Sequence, residues 1–178
     1  MNFILKDDNL LTLEECDNVI QWVYDNKKFI TENRCTGYQY CDLMNRGDSS
    51  TESFSNISLQ PIDRAITKLV NSYIEEYPET KNLDHWNVDY VRFKWWKPGD
   101  YYSIWHSEHM KSQPYRVLSF LIYLSDNDAE TQFKRYENVE TKAGRGIIFP
   151  AYFTHEHIGS ICKKGLDRYV ISGYCGFM

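Results

Sequence analysis

The 178-residue sequence has no excess of basic residues: 20 lysines and arginines stand against 25 acids, a net charge of −5. A pI near 5.5 argues against general affinity for nucleic-acid phosphates and disfavours a duplex DNA partner. No apolar run is long enough to span a membrane, so no membrane partner is expected. The opening MNFILKDDNLLTLEEC lacks both the basic segment and the apolar stretch of a secretion signal, and the expected location is cytoplasmic. The five cysteines (Cys16, Cys35, Cys41, Cys162, Cys175) include no CxxC pair. Their odd number and irregular spacing argue against a disulfide framework or a structural zinc site, and for free thiols in a reducing compartment. Repeats, low-complexity tracts and Pro/Gly linkers are also missing, so one domain over 1–178 is expected, helical over 1–82 and strand-rich from about 86.

Aromatic residues are plentiful at 16%, with 14 Tyr, 9 Phe and 5 Trp. Rings suit strands and pocket walls, and lean toward a β-rich fold with a lined cavity. A helix is predicted over about Leu13–Asn26, opened by the capping box Thr12/Glu15 and carrying Cys16, Val19, Ile20 and Val23 at helical spacing. A second carries one apolar stripe from Ile62 to Tyr77, with Pro61 in its first turn and Pro78 ending it. Such a stripe is a core feature before it is a cofactor site. Between them, Lys28–Asn56 is polar and irregular, and reads as an insertion or a loop near a binding mouth, with Lys28–Ser55 a candidate substrate lid. From Trp86 the texture changes to strands: WNVDYVRFKWW, YYSIWHSE, RVLSFLIYLS, TQFKRY, GRGIIFP and RYVISGYCGF. About seven strands after two helices predict a mainly β, α+β fold, a sandwich or barrel with both helices packed outside one sheet.

Four of the five histidines fall in two clusters, His106 and His109 in WHSEH and His155 and His157 in FTHEHIG. His85 stands alone. On a strand, residues two apart share a face, so His106 and Glu108 project together, and so would His155 and His157. A His-Glu pair plus one later histidine makes a 2-His-1-carboxylate face with open metal positions, suited to non-haem Fe(II) and oxygen. A zinc hydrolase can use the same donors. His109, out of register with His106, is expected at the surface. Arg168 opens the otherwise apolar strand RYVISGY. Buried there it needs an anion, either a local Asp or Glu or the carboxylate of a ligand gripped by its planar fork. Metal and arginine together suit a 2-oxoacid, one end chelating and the other clamped.

The blocks KPGDYYSIWHSE, RVLSFLIYLSD, AETQF, KAGRGIIFP, FTHEHIG and GLDRYVISGY resemble the prolyl-4-hydroxylase-like 2-oxoglutarate/Fe(II) oxygenases, above all the short versions carried by phages and some bacteria. The opening ILKDDNLLTLEECDNVIQWV is similar to the helix that precedes the catalytic barrel in that group. The resemblance implies a double-stranded β-helix, or jelly roll. It implies Fe(II) held by His106, Glu108 and His157, the distal choice resting on Gly159 two residues beyond His157. Arg168 would clamp the 2-oxoglutarate C5 carboxylate beside Tyr123, and Tyr101, Tyr102 and Trp105 are candidate walls. The reaction implied is oxidation of a second substrate by O2, with release of succinate and CO2 and with ascorbate as a candidate reductant. A prolyl residue of a peptide or protein is the leading substrate. A free amino acid, small metabolite or nucleobase, or a non-catalytic metal-binding module on the same fold, are the alternatives. The sequence departs from the pattern twice: Glu108 stands where the group usually has Asp, and Asp128-Ala129-Glu130 where GGE is common.

Overall fold

The computed structural model describes residues 1–26, 30–32, 37–45, 57–82 and 86–177. Two helices, α1 (Leu13–Asp25) and α2 (Gln60–Glu76), accompany eleven strands among the described residues. These are β1 (Leu5–Asp7), β2 (Thr31–Glu32), β3 (Gln39–Asn45), β4 (Trp86–Trp96), β5 (Tyr102–His106), β6 (Arg116–Tyr123), β7 (Glu130–Phe133), β8 (Val139–Glu140), β9 (Gly146–Pro150), β10 (His157–Gly159) and β11 (Arg168–Phe177). They form two antiparallel sheets, one of seven strands in the order β1-β9-β6-β11-β4-β3-β2 and one of four in the order β5-β10-β7-β8.

The sequence signals act where they stand. The Thr12 side chain accepts from the Glu15 amide, while the Glu15 carboxylate accepts from the Thr12 amide at 2.9 Å, satisfying two amides at the start of α1. Pro61 lies in the first turn of α2. Strand β4 covers WNVDYVRFKWW and β11 covers RYVISGYCGF without a residue to spare.

The central strands β9, β6 and β11 of the seven-stranded sheet are buried on both faces, which is why RVLSFLIYLS is apolar almost throughout. Alternation sorts its residues. Val91, Phe93, Phe120, Ile122, Ile148 and Ile171 share one core with Val19, Leu69 and other buried residues of the two helices. Trp96, Tyr123, Ile147, Phe149 and Val170 belong to a second cluster with Phe133 and Val139 of the smaller sheet.

Two expectations need correcting. Strand β1 precedes α1, and β2 and β3 lie between the helices, so the order is not helices first. The 28–56 stretch is not loop throughout. Within QYCDLMN, Cys41 and Leu43 are buried in the helix-side core, while Asp42 receives both Nε (2.6 Å) and Nη2 (3.1 Å) of Arg92 on the neighbouring strand. A partner 50 residues away makes this strand, so local polarity hides it. Most of the proposed lid, together with Cys35 and His85, lies outside the described residues.

Candidate active site

A pocket of about 480 Å3, partly open to solvent, lies between the two sheets and takes residues from both. One end of it is built by β5 and β10, which pair antiparallel with His106 directly opposite His157. Their rings stand 4.4 Å apart. Each Nδ1 faces a backbone carbonyl, that of Ile104 at 2.9 Å for His106 and that of His155 at 3.0 Å for His157. A carbonyl only accepts, so each Nδ1 carries a proton; His157 Nε2 then presents its lone pair, while His106 Nε2 faces the Glu108 carboxylate. Glu108 follows the end of β5, its amide tied to the Ala151 carbonyl at 2.9 Å. Its carboxylate lies 3.3 Å from His106 Nε2 on one oxygen and 3.2 Å from Arg116 Nη1 on the other. Donor atoms of His106, Glu108 and His157 all lie within 4.8 Å of one another.

The electrostatics keep this set ready for a cation. Burial pushes the His157 imidazole down to about 4 from an ordinary 6.5, helped by the neighbouring His106, so it is neutral at physiological pH. Burial raises the Glu108 carboxyl, but the hydrogen bond and charge of His106, with Lys94 and His157, outweigh it and hold the group at about 2. The result is a neutral nitrogen donor at His157 and an anionic oxygen at Glu108, with His106 Nε2 beside that oxygen.

The far end of the pocket holds Arg168, only 4% exposed. Among the described residues it pairs with no carboxylate. Its Nη2 donates to Thr131 Oγ1 at 3.3 Å and its guanidinium lies 5.5 Å from the Trp96 ring and 5.7 Å from the Tyr123 ring. Arg168 Nε and Trp96 Nε1 are both buried without a hydrogen-bond partner. Unsatisfied buried donors of this kind are costly and point to a missing acceptor. Gly159 makes room for the fork: a Cβ there would come within 3.2 Å of Arg168 Nη1.

Each residue singled out in the sequence has a definite place. His106, Glu108, His157, Arg168 and Tyr102 line one pocket. Tyr123 sits just behind it, fully buried, its hydroxyl 2.7 Å from Thr131 Oγ1. Tyr101 and Trp105 point outward, 43% and 42% exposed. The expectation that His155 and His157 share a strand face fails, because Phe153–His155 is a 3-10 turn and only His157 enters a strand. His155 is committed elsewhere, with Nε2 2.8 Å from the Asn2 carbonyl and Nδ1 2.9 Å from Thr154 Oγ1. Nor is His109 a surface residue: it is half-buried, its Nδ1 3.0 Å from the Arg116 carbonyl and its ring beside Tyr152. Lys94, Arg116 and Thr131 were not foreseen, nor was the room that Gly159 leaves beside Arg168. Arg116 carried the same signal as Arg168, a charge opening an apolar strand.

Comparison with solved structures identifies the architecture. The viral collagen prolyl hydroxylase of Paramecium Bursaria Chlorella virus-1, in complex with 2-oxoglutarate, superposes with a TM-score of 0.75 at 20% identity, covering 99% of this chain and 97% of its own. The fold is that of the prolyl-hydroxylase-like 2-oxoglutarate/Fe(II) oxygenases. A Pseudomonas putida prolyl-4-hydroxylase shares this oxygenase fold at a TM-score of 0.67 and 15% identity, over 100% of this chain and 94% of that one. So does the Trichoplax adhaerens prolyl hydroxylase solved with a peptide fragment of the hypoxia inducible factor oxygen degradation domain, with a TM-score of 0.67, 14% identity, and 99% and 84% covered. No family model matches the chain, and no curated protein matches it. Among the described residues, no helix is long and apolar enough to cross a membrane.

Proposed function

We propose that this chain is an Fe(II)- and 2-oxoglutarate-dependent oxygenase whose metal is held by His106, Glu108 and His157 and whose cosubstrate is clamped by Arg168. One observation carries the proposal: a buried guanidinium with no acid partner among the described residues shares a pocket with two imidazoles and a carboxylate. The donor set fits Fe(II), since two imidazole nitrogens and one carboxylate oxygen on one face leave positions open for a chelating ligand and oxygen. A zinc hydrolase would have no use for Arg168. The two sheets are then the halves of a double-stranded β-helix, and 1–178 is one catalytic domain with the helices on the outer face of the larger sheet.

Each residue has a task within this scheme. Protonated Nδ1 atoms lock both imidazoles in the ligating tautomer. Arg116 orients Glu108 by holding its second oxygen. Thr131 braces both Arg168 and the Tyr123 hydroxyl. The fork of Arg168 donates to the far carboxylate and fixes how the cosubstrate lies. The oxidising chemistry, decarboxylation of 2-oxoglutarate to succinate and CO2 coupled to oxidation of a second substrate by O2, belongs to the bound Fe(II).

The second substrate is a prolyl residue of a peptide or protein. Support comes from the prolyl hydroxylases among the solved neighbours, one of them holding a peptide, and from exposed apolar side chains flanking the metal residues in sequence, Ile104, Trp105 and Phe153. The four described cysteines are buried free thiols, in keeping with a reducing cytoplasm. The test is succinate release under air, with Fe(II), 2-oxoglutarate and ascorbate, across proline-containing peptides, free amino acids and nucleosides. A peptide should raise succinate above the uncoupled rate and gain 16 mass units. Stimulation by free amino acids or nucleosides alone contradicts the peptide assignment, and no succinate under any condition contradicts the oxygenase.

A further inference from the structure

Strand β4 carries a charged side chain into the pocket that the scheme above leaves without a task. Val91 and Phe93 face the helices, whereas Lys94 and Trp96 line the pocket. Lys94 is half-buried, and among the described residues no hydrogen bond or ion pair holds its ammonium, which lies 5.5 Å from the centre of the Tyr38 ring. Arg92, two residues earlier on the same strand, is by contrast fully engaged by Asp42. Burial draws the Lys94 ammonium below its ordinary pKa, with Tyr38 and Glu108 opposing that pull. Lys94 lines the same pocket as Glu108 and His157, and its charge bears on both.

Arg168 marks the opposite end. It pairs in register with Trp96, and Lys94 lies one two-residue step along β4, opposite Val170. Such a step is roughly 6.6 Å, so two cations stand at separate points of one pocket, neither matched by a carboxylate among the described residues. Two uncompensated charges in one partly desolvated cavity are costly, and a ligand with an acid at each end relieves both.

We propose that Lys94 is the second anion-binding group of this pocket, its ammonium pairing with the metal-side carboxylate of 2-oxoglutarate while Arg168 grips the far one. The assignment rests on the oxygenase reading and sharpens it, because the pocket then selects a dicarboxylic 2-oxoacid by both ends. A lysine suits the metal side, where a compact point charge is wanted rather than a planar fork.

Calorimetry on the full chain loaded with Mn(II), which keeps oxygen chemistry silent, separates the roles. The ligands are 2-oxoglutarate and 2-oxobutyrate, which shares the 2-oxo carboxylate but has no second acid. Lys94→Met should weaken both by the same factor, about 10-fold or more, and Lys94→Arg should recover part of it. Arg168→Met should weaken 2-oxoglutarate alone. Circular dichroism and the electron paramagnetic resonance signal of bound Mn(II) check that fold and metal are retained; Lys94→Gln replaces the Met variant if that variant does not fold. A Lys94 variant that binds both ligands as wild type does, or that loses only 2-oxoglutarate, overturns the Lys94 assignment and leaves the oxygenase reading standing. Wild-type protein that binds neither 2-oxoacid overturns the oxygenase reading itself.

Discussion

The two faces of the seven-stranded sheet come from alternate residues of the same strands, yet they do opposite things. Toward the helices stand Phe93, Phe120, Ile122, Ile148 and Ile171, all buried, with no polar side chain among them. Toward the smaller sheet stand Lys94, Ser119, Arg168 and Ser172, with buried donors left unpaired. The first face lowers the free energy of the fold. The second gives up part of that gain to keep a polar cavity ready for ligands, and the strand register guarantees that a change on one face is felt little on the other.

Mutations should therefore separate stability from binding according to face. The largest contrast pairs His106→Ala with Phe120→Ala. The first should abolish Fe(II) binding and shift the metal-free melting temperature little; the second should cost about 3–5 kcal/mol of stability while folded protein still binds metal. Metal titration and thermal melts on both variants check this. Arg168→Met should follow, weakening 2-oxoglutarate by roughly 10- to 100-fold in calorimetry. Its melting temperature should hold or rise, since an unpaired buried charge has been replaced by an apolar side chain.

Two glycines offer the same contrast in miniature. On β11, a Cβ at Gly173 would stand 2.1 Å from the Phe120 ring and 2.5 Å from the Tyr90 carbonyl, so Gly173→Ala should destabilise by about 1–3 kcal/mol. Gly159→Ala should instead displace the Arg168 fork and weaken 2-oxoglutarate several-fold with the melt nearly unchanged.

Acid should reach the polar face first. His157 is held near pH 4 in the folded chain against an ordinary 6.5, so between those values the unfolded chain binds the extra proton. Its contribution is complete above pH 6.5 and is lost downward to about pH 4. The metal-free protein should lose on the order of 1–3 kcal/mol over that window, and His157→Ala should flatten the dependence. The smallest effect belongs to neither face: Thr12→Ala should cost about 1 kcal/mol, read as a lower melting temperature with 2-oxoglutarate affinity unchanged.

The sequence was most legible where the determinant is local. The capping box at Thr12 and Glu15, the alternation of β4 and the apolar run of β6 each carry their own signal within ten residues or so. It was least legible where the partner is distant. Strand β3 depends on Asp42 meeting Arg92, and the role of His155 depends on the Asn2 carbonyl at the other end of the chain. Of the site, His106, Glu108 and Arg168 could be picked out by spacing and by charge in an apolar strand. Lys94 and Thr131 could not, because a polar residue on an alternating strand is unremarkable until the face it occupies is known to line a cavity.

The most direct test of the account is an anaerobic titration of Fe(II) and 2-oxoglutarate followed by visible absorption. The account predicts a weak charge-transfer band in wild type, absent in His106→Ala and His157→Ala, retained in His155→Ala, and in Arg168→Met appearing only at higher 2-oxoglutarate. A wild-type protein that gives no band, or a band lost with His155 and kept without His157, would contradict it.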